Sequence, residues 1–374
     1  MTDRQELKEA AMAAADKLIK MVKPGSPARV NRDLVRGLAE TELTGRLLPR
    51  RAGGNREGEI SALELCLVRE ALARRSTAVE NTLTIQLLGV IPILMAGTEG
   101  QLHNYVEPVA QGRSVAAFAL TEPDAGTDAG ALSLAAEPDG DGYRLSGTKT
   151  FISNAPDADF YTLFARTSPQ GSRGITAFIV DGGAEHLRGT ALEVLSDHPI
   201  GRLELDGVQV SRKQMLGELD QGFRLAMRTL DFFRPSVGAN SLGMAQAALD
   251  AAVSYAAGRQ AFGRPIKEFQ AVSHQLAEMA TRLEAARALV YSAAEAYDRG
   301  DDRVARRSAM AKLFATETAQ QVIDVAIQVH GAVALQRGHL LEHLYREVRA
   351  PRIYEGTSEI QREIIARDLF KRQG

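Results

Sequence analysis

The chain has 374 residues, 45% hydrophobic and 25% charged, which is the composition of an ordinary globular protein with two or three domains. A formal net charge of −2 gives no global reason to expect nucleic acid or an anionic membrane as a partner. The single cysteine, Cys66, excludes an intrachain disulfide and any multi-cysteine metal site. The charged first residues carry no secretory signal, and no apolar run reaches about 18 residues. We therefore expect a cytoplasmic protein without a membrane-spanning segment.

Residues 1–113 are predicted to form an N-terminal α-helical domain. Apolar side chains between Leu7 and Leu18 recur on one helical face. Residues 60–72 and 83–94 are strongly apolar helical candidates. Proline removes a helical hydrogen bond, so Pro92 is expected to interrupt the second of them.

The pattern changes at Ser114, and residues 114–216 are predicted to form a central β domain. Turn residues separate the strand candidates, and the clearest hairpin signals are residues 139–142 and 171–174. So many short strands indicate a small antiparallel barrel or sandwich rather than a parallel sheet. The candidates are residues 115–120, 131–136, 143–152, 160–165, 175–180, 192–195 and 203–210.

Helical periodicity returns after Gly217, and residues 217–374 are predicted to form a C-terminal four-helix bundle. The predicted fold class is therefore α+β and multidomain: a helical domain, a β domain and a helical bundle. The four helices are predicted at residues 222–255, 268–298, 304–329 and 358–370.

One carboxylate near the end of the chain has an unusual setting. Glu355 precedes Gly356, which permits a tight turn. Thr357 and Ser358 then offer N-caps, with Gln361 completing a capping box. A carboxylate here is held before a helix N-terminus, where the helix dipole stabilises its charge. The alternative interpretation is an ordinary capped helix with a solvated glutamate.

Other motifs are weak. His339 to His343 matches the H-x-x-E-H zinc pattern, but arginines crowd the segment, and we predict no metal. No G-x-G-x-x-G follows a strand, so a Rossmann dinucleotide site is not indicated. Residues 121–130 form a loop rich in hydroxyls and small side chains, which suits phosphate or the polar edge of a flat heterocycle.

Four further stretches are informative when they are taken together. They are Leu120-Thr121-Glu122-Pro123 with Gly126-Thr127-Asp128, Gly147 to Asn154, Arg259 to Ile266 with Phe269-Gln270, and Tyr354-Glu355-Gly356-Thr357. In their order and spacing they resemble the acyl-CoA dehydrogenase family, in its short- and medium-chain-like branch. The resemblance covers nearly the whole chain, and it implies an α-domain, a β-domain and a four-helix α-domain, as the periodicity also predicts.

The resemblance implies an FAD-dependent enzyme that forms a trans α,β double bond in an acyl-CoA thioester. Glu355 matches the family's base in its commonest position, which takes the α-proton while the flavin N5 accepts the β-hydride. A minority branch has its base at the position matching Phe233, which cannot accept a proton. The electrons would pass to electron-transfer flavoprotein.

The resemblance also implies binding residues. Flavin contacts fall on Phe118, Leu120, Thr121, Thr127, Phe151 and Ser153, with Phe151 standing where many members have tryptophan. Positions that reach the FAD of a neighbouring subunit are Arg259, Phe262, Gln270, Gln328 and Gly331, while Thr357 and Glu359 match residues near the adenine half. The substrate channel would be bordered by Thr127, Asp231, Arg234, Tyr354 and Gly356.

Sharing of FAD between subunits implies a homodimer or homotetramer. We expect neither nucleic acid nor a membrane as a partner. Alternatives are a related flavoprotein oxidase or desulfinase, or a non-catalytic nucleic-acid-associated member of the superfamily. That last branch adds a basic C-terminal extension, whereas this chain ends at Gly374. The acyl group could be carried by CoA or by a carrier protein, and its length and branching are not readable.

Overall fold

The computed structural model describes residues 3–22 and 29–371, and the chain forms two compact units. The helical unit comprises Met1–Asp16, Ser61–Glu80 and Asp231–Gly374, and the sheet unit comprises Lys17–Ile60 and Asn81–Leu230. The division of the sequence into three consecutive domains stays a prediction.

Helices dominate the described residues, and the four long helices predicted after Gly217 are all present. Their observed ends lie within three residues of the predicted ones. The helices are α1 Asp3–Leu18, α2 Arg32–Glu40, α3 Leu43–Leu47, α4 Ala62–Arg75, α5 Thr77–Ala96, α6 Glu99–Gln101, α7 Glu107–Ala110, α8 Gly222–Gly258, α9 Gln270–Asp298, α10 Val304–His330, α11 Leu340–Val348 and α12 Ser358–Phe370.

Helix α5 runs through Pro92, so the predicted interruption is wrong. Proline has a helical φ and costs one hydrogen bond, and the fully buried side chains of Ile91 and Ile93 compensate for that loss. Among the described residues, α5 is also the one helix long and apolar enough to cross a membrane. Because 72% of its most apolar window is buried inside the protein, it has the character of a core helix.

The strands of the described residues form one large sheet and one short hairpin. They are β1 Ala116–Ala119, β2 Ala135–Asp139, β3 Gly142–Ser153, β4 Phe160–Arg166, β5 Ile175–Asp181, β6 Leu187–Ala191, β7 Ile200–Ser211, β8 Met215–Leu216, β9 Gln260–Ala261 and β10 Arg264–Pro265. The large sheet, in the sheet unit, is eight-stranded and mixed, in the order β6-β7-β3-β2-β4-β5-β8 with β1 beside β4. Most pairs are antiparallel, as predicted, but β1 and β2 each run parallel to β4.

One predicted strand, residues 192–195, is wrong, and the strand predicted at residues 131–136 overlaps β2 only at Ala135 and Ala136. The strand that pairs with β7 there is β6, and its register ends at Ala191 opposite Gly201. Val194 and Leu195 are exposed, so the apolar character that suggested a strand does not reflect a buried position. The hairpin predicted at residues 139–142 is confirmed as the turn between β2 and β3.

The buried side chains of the two units follow the periodicity of their secondary structure, which is two residues in the strands and about 3.6 residues in the helices. In the sheet unit, β7 alternates buried and exposed side chains, whereas β4 and β5 are buried on both faces. In the helical unit, α9 buries Met279, Leu283 and Val290 at helical spacing, and it packs against α10. Helix α12 packs on α10, which fixes the turn that precedes it.

Candidate functional site

The turn before α12 holds Glu355 in a strained conformation. Glu355 has φ 53° and Gly356 has φ 91°, so both lie in the left-handed region. That region costs a non-glycine residue about 1–2 kcal/mol, so the surrounding structure must impose it on Glu355. The φ of 91° at position 356 favours glycine, and a Cβ there would also lie 2.6 Å from Nε2 of Gln361, which would have to move. The predicted tight turn is therefore present and includes Glu355 itself.

Three side chains from other parts of the helical unit hold the main chain of this turn. The carbonyl of Gly356 accepts hydrogen bonds from Nζ of Lys312 at 2.7 Å and from Nε2 of Gln361 at 2.8 Å. The carbonyl of Glu355 accepts from Gln361 at 3.2 Å and from Nε of Arg234 at 3.4 Å. The direction of the Glu355 side chain is thus fixed through its backbone.

The predicted capping box at Gln361 is wrong. Thr357 caps α12, and its side chain accepts from the backbone N–H of Ile360 at 3.4 Å. The Ser358 hydroxyl donates to Glu317 at 2.6 Å instead of capping. Gln361 is fully buried and donates to the turn carbonyls, because the left-handed turn brings them within its reach.

The Glu355 carboxyl group is placed to exchange a proton. Among the described residues its buried Oε2 has no hydrogen-bond partner. Burial raises the pKa of Glu355, and the positive charges of Arg69, Lys312 and Arg234 oppose this shift without cancelling it. A carboxyl group with a raised pKa and an unused oxygen can serve as a general base.

A buried ion pair lies within electrostatic range of Glu355. Arg69 is 1% exposed and donates from Nε to Glu80 at 2.5 Å and from Nη1 to the hydroxyl of Ser236 at 2.8 Å. Burial alone would lower the pKa of Arg69, but Glu80 and its other anionic neighbours raise it. Burial lowers the pKa of Lys312 to about 8. The carboxyl group is thus surrounded by cations.

The predicted substrate-side residues of the helical unit lie around this turn. Asp231 and Arg234 form an ion pair one turn apart on α8, and burial raises the pKa of Asp231. The Tyr354 hydroxyl lies 3.5 Å from Nδ2 of Asn240. Phe233, the position of the alternative base, is fully buried in the core. The structure therefore brings Asp231, Arg234, Tyr354 and Gly356 into the neighbourhood of Glu355, and what they bind stays a prediction.

In the sheet unit, a buried ion pair holds the loop that follows β1. Glu122 accepts from Nζ of Lys149 at 2.8 Å and from the backbone N–H groups of Ser133 and Leu134. Lys149 is fully buried and also donates to the carbonyl of Leu120 at 2.9 Å. Despite burial, these donors hold the pKa of Glu122 below its usual range, while burial lowers that of Lys149 to about 8.

The same region displays an aromatic ring beside a hydroxyl group. A bulge in β3 follows Lys149, and Phe151 there has φ 53° and is 60% exposed. Two residues on, the Ser153 hydroxyl lies 2.8 Å from Nε2 of His198. Burial lowers the pKa of His198 to about 4, so this imidazole is neutral near pH 7.

These residues fit a flat heterocycle. The backbone N–H of Thr150 donates to the carbonyl of Thr121, and this bond joins the loop after β1 to the bulge in β3. Phe118 of β1 packs against Phe164 of the neighbouring strand β4. Of the flavin contacts predicted here, Leu120 is buried, Phe118, Thr121 and Ser153 are half-buried, and Thr127 and Phe151 are exposed. Phe151 presents an exposed ring, and Ser153, two residues on, carries a hydroxyl group; side chains of these types suit a flat heterocycle, and their contact with a flavin stays a prediction.

The residues predicted to reach a neighbouring subunit lie on the surface of the helical unit. Phe262 is 95% exposed at the tip of the β9–β10 hairpin, with φ 52°. Phe269 lies beneath it, and the guanidinium of Arg264 stacks on that ring at 4.1 Å. Arg259, Gln270, Gln328, Gly331 and Glu359 are exposed, and Thr357 is half-buried. A fully exposed aromatic ring on a stiff hairpin is suited to contact with another molecule.

The H-x-x-E-H segment is accounted for by internal bonds. His339 caps α11 by accepting from the backbone N–H of Leu341, Glu342 pairs with Arg346, and His343 bonds to Thr77. Within residues 3–22 and 29–371, no group of three or more metal-ligating side chains occurs.

Sequence reasoning missed four polar residues of the two sites: Arg69, Lys312, Asn240 and His198. The first three lie on buried faces of their helices, and a charged or amide side chain at a position of the apolar face is a signal that could have identified them. His198 lies in an irregular segment without a motif, so nothing in the sequence indicated its contact with Ser153.

Three family models match the chain. They are described as acyl-CoA dehydrogenase N-terminal domain, middle domain and C-terminal domain, and they match residues 2–113, 117–208 and 220–370.

Relatives with known names include a 3-(aryl)acrylate reductase of Clostridium sporogenes, 40% identical over 353 residues, or 92% of each chain. The caffeyl-CoA reductase-Etf complex subunit CarC of Acetobacterium woodii is 39% identical over 87% of this chain and 86% of its own. Among solved structures, butyryl-CoA dehydrogenase from Megasphaera elsdenii superposes with a TM-score of 0.92 at 34% identity, covering 99% of both chains.

Proposed function

Because the chain belongs to the acyl-CoA dehydrogenase family, we propose that it interconverts an acyl-CoA thioester and its α,β-unsaturated counterpart, with Glu355 as base. The family consists of FAD-dependent oxidoreductases, and the exposed Phe151 beside Ser153 fits such a cofactor. When bound, FAD supplies the acceptor for the hydride that leaves the β-carbon.

The observation that carries the proposal is the unused, buried oxygen of Glu355 on a turn fixed from three sides. An α-proton of a thioester is weakly acidic, so its removal needs an ionised carboxylate in a site with little water. Arg69, Lys312 and Arg234 keep part of the Glu355 population ionised against the effect of burial. In the forward step the α C–H bond breaks and its proton moves to the Glu355 carboxylate.

Reduction of an unsaturated thioester is the second candidate. Two of the relatives are named reductases, and the same residues serve both directions by microscopic reversibility. In this direction the protonated Glu355 would donate to the α-carbon. Its raised pKa, caused by burial, favours the protonated form and supports this role as well.

A panel of acyl-CoA thioesters tests the proposal. Purified protein reconstituted with FAD is mixed with each thioester, and reduction of a dye acceptor and loss of the yellow absorbance are followed. Oxidation of at least one saturated thioester supports dehydrogenation, while activity confined to unsaturated thioesters with a reductant supports the reductase. A protein that does not bind FAD, or that acts on neither class, would contradict the proposal. Oxygen consumption or sulfite release would instead identify an oxidase or desulfinase.

We further propose electron-transfer flavoprotein as redox partner and a homo-oligomer as the working form. The name of the CarC relative supports electron-transfer flavoprotein as the partner. The exposed Phe262 on its hairpin supports the homo-oligomer. Sedimentation of the protein and of Phe262→Ser would test the oligomer.

A gel shift with a salt titration tests the nucleic-acid alternative, because phosphate contacts weaken steeply with salt.

The rate of thioester oxidation should depend on pH through Glu355. Burial raises the pKa of Glu355, and only the ionised carboxylate can accept the α-proton. We therefore expect kcat/KM for oxidation to rise with pH and to level off above this raised pKa. A stopped-flow pH series on the saturated substrate measures it, and a rate that falls over the same range would exclude a carboxylate base.

Replacement of Lys312 by methionine should shift that profile to higher pH. The change removes a cation that stabilises ionised Glu355 and the hydrogen bond to the Gly356 carbonyl at 2.7 Å. A charged hydrogen bond contributes about 1.5–3 kcal/mol, so stability should fall by a similar amount. Urea unfolding and the pH series measure the two effects. Lys267→Met, an exposed lysine in the same unit, is the control and should change neither.

A further inference from the structure

Several polar side chains lie near the turn that carries Glu355. A binding site for a purely hydrocarbon acyl chain would not need polar side chains. On α8, Ser236 and Asn240 are one turn apart and share a helix face. Ser236 accepts from Arg69, and Asn240 approaches the Tyr354 hydroxyl. Tyr354 and Glu355 are consecutive residues of the turn, and α8 contacts both of them: Arg234 donates to the Glu355 carbonyl at 3.4 Å, and Asn240 lies 3.5 Å from the Tyr354 hydroxyl.

Asn240 is the member of this cluster with unused hydrogen-bonding capacity. It is 4% exposed, and within the described residues its Oδ1 has no partner. Its amide nitrogen lies 3.5 Å from the Tyr354 hydroxyl, which is a long hydrogen bond. An unsatisfied buried amide costs about 1–3 kcal/mol, which a bound group could recover. Tyr354 as a whole residue is 36% exposed, so part of its ring reaches the surface, whereas burial raises the pKa of its hydroxyl group.

The chemistry of the cluster restricts the group it can bind. The charge of Arg69 is already balanced by Glu80 at 2.5 Å, so no free charge is offered to an ionised tail. The oxygen and nitrogen of an asparagine amide can exchange places by a flip, so the bound group should both donate and accept. A hydroxyl group does both.

We propose that Asn240 and Tyr354 form a polar subsite that selects acyl thioesters carrying a hydroxyl group on the acyl chain. This inference rests on the proposed function, since it names the substrate class of the same site. Asn240 determines specificity, while Arg69 and Glu80 hold the surrounding polar side chains in place.

Matched substrate pairs test the inference. Hexanoyl-CoA is compared with 6-hydroxyhexanoyl-CoA, and 3-phenylpropanoyl-CoA with 3-(4-hydroxyphenyl)propanoyl-CoA, by kcat/KM with a dye acceptor. In the wild type we expect at least one pair to favour the hydroxylated member by about 10-fold or more. Asn240→Leu, which keeps the volume, should bring that ratio close to one, and Tyr354→Phe should lower it.

Ser241→Ala is the matched control. Ser241 is the next residue of α8, fully buried, and its hydroxyl donates within its own helix to the carbonyl of Val237. This variant should keep the wild-type ratio.

The outcomes separate this inference from the proposed function. A wild type that oxidises both members of each pair equally, or a ratio unchanged in Asn240→Leu, overturns the inference and leaves the proposed function intact. If Asn240→Leu does not fold, the wild-type ratio and Tyr354→Phe decide. A wild type that binds FAD but reacts with no thioester contradicts the proposed function, and the inference falls with it.

Discussion

Replacing Glu355 by glutamine should lower kcat for thioester oxidation by about 10³-fold or more while FAD stays bound. Glutamine has almost the same shape as glutamate but cannot accept the α-proton. The turn should survive, because the bonds from Lys312, Gln361 and Arg234 all go to main-chain carbonyls. Stopped-flow reduction by substrate measures the chemical step, and the flavin absorbance of the purified variant measures cofactor content.

The pattern of kinetic change distinguishes a base from a binding residue. Loss of an interaction made only in the transition state lowers kcat and kcat/KM equally. Glu363→Gln is the control, because Glu363 is an exposed residue of α12 whose ion pair with Arg367 at 3.6 Å is also exposed. It should react at the wild-type rate. Full turnover by Glu355→Gln would refute the assignment of Glu355 as the base.

The helical unit was largely predictable from local signals. Helices α8, α9, α10 and α12 carry long apolar periodicities, which fix their type and nearly their ends. The setting of Glu355 was also visible, because Gly356 and the following N-cap are local features. Most strands of the sheet were predictable, but β6 was missed. The two parallel pairings were not predictable either, since pairing depends on contacts distant in sequence.

The polar environment of Glu355 was predictable only in part: Arg234 was named from the sequence, but Arg69 and Lys312 were not. Gln361 has the spacing of a capping box, but the left-handed φ of Glu355 turns the carbonyls of Glu355 and Gly356 toward it. Gln361 donates hydrogen bonds to these two carbonyls instead of capping the helix. Arg69 and Glu80 lie on different helices, so neither sequence position reveals the other. Tertiary packing determines which buried polar side chains contact each other, and local sequence patterns do not predict these contacts.

A second large effect is expected from Lys149→Met in the sheet unit, which should lower the free energy of unfolding by about 3–5 kcal/mol. The side chains of Lys149 and Glu122 are 0% and 4% exposed, and their ion pair measures 2.8 Å. Removal of the ammonium group leaves the Glu122 carboxylate buried without its cation, and the Leu120 carbonyl loses a donor. Since Leu120 and Thr121 are proposed flavin contacts, FAD retention should fall as well.

Urea unfolding of the FAD-loaded protein and of the same protein after FAD removal measures the two effects separately. Arg144→Met on the same strand is the control: its ion pair with Glu137 is 50% and 64% exposed, so its loss should cost at most about 1 kcal/mol. Adding Glu122→Gln to Lys149→Met should restore part of the stability, because a neutral amide is less costly to bury than an uncompensated carboxylate. A Lys149→Met variant as stable as Arg144→Met would show that the buried pair does not hold this loop.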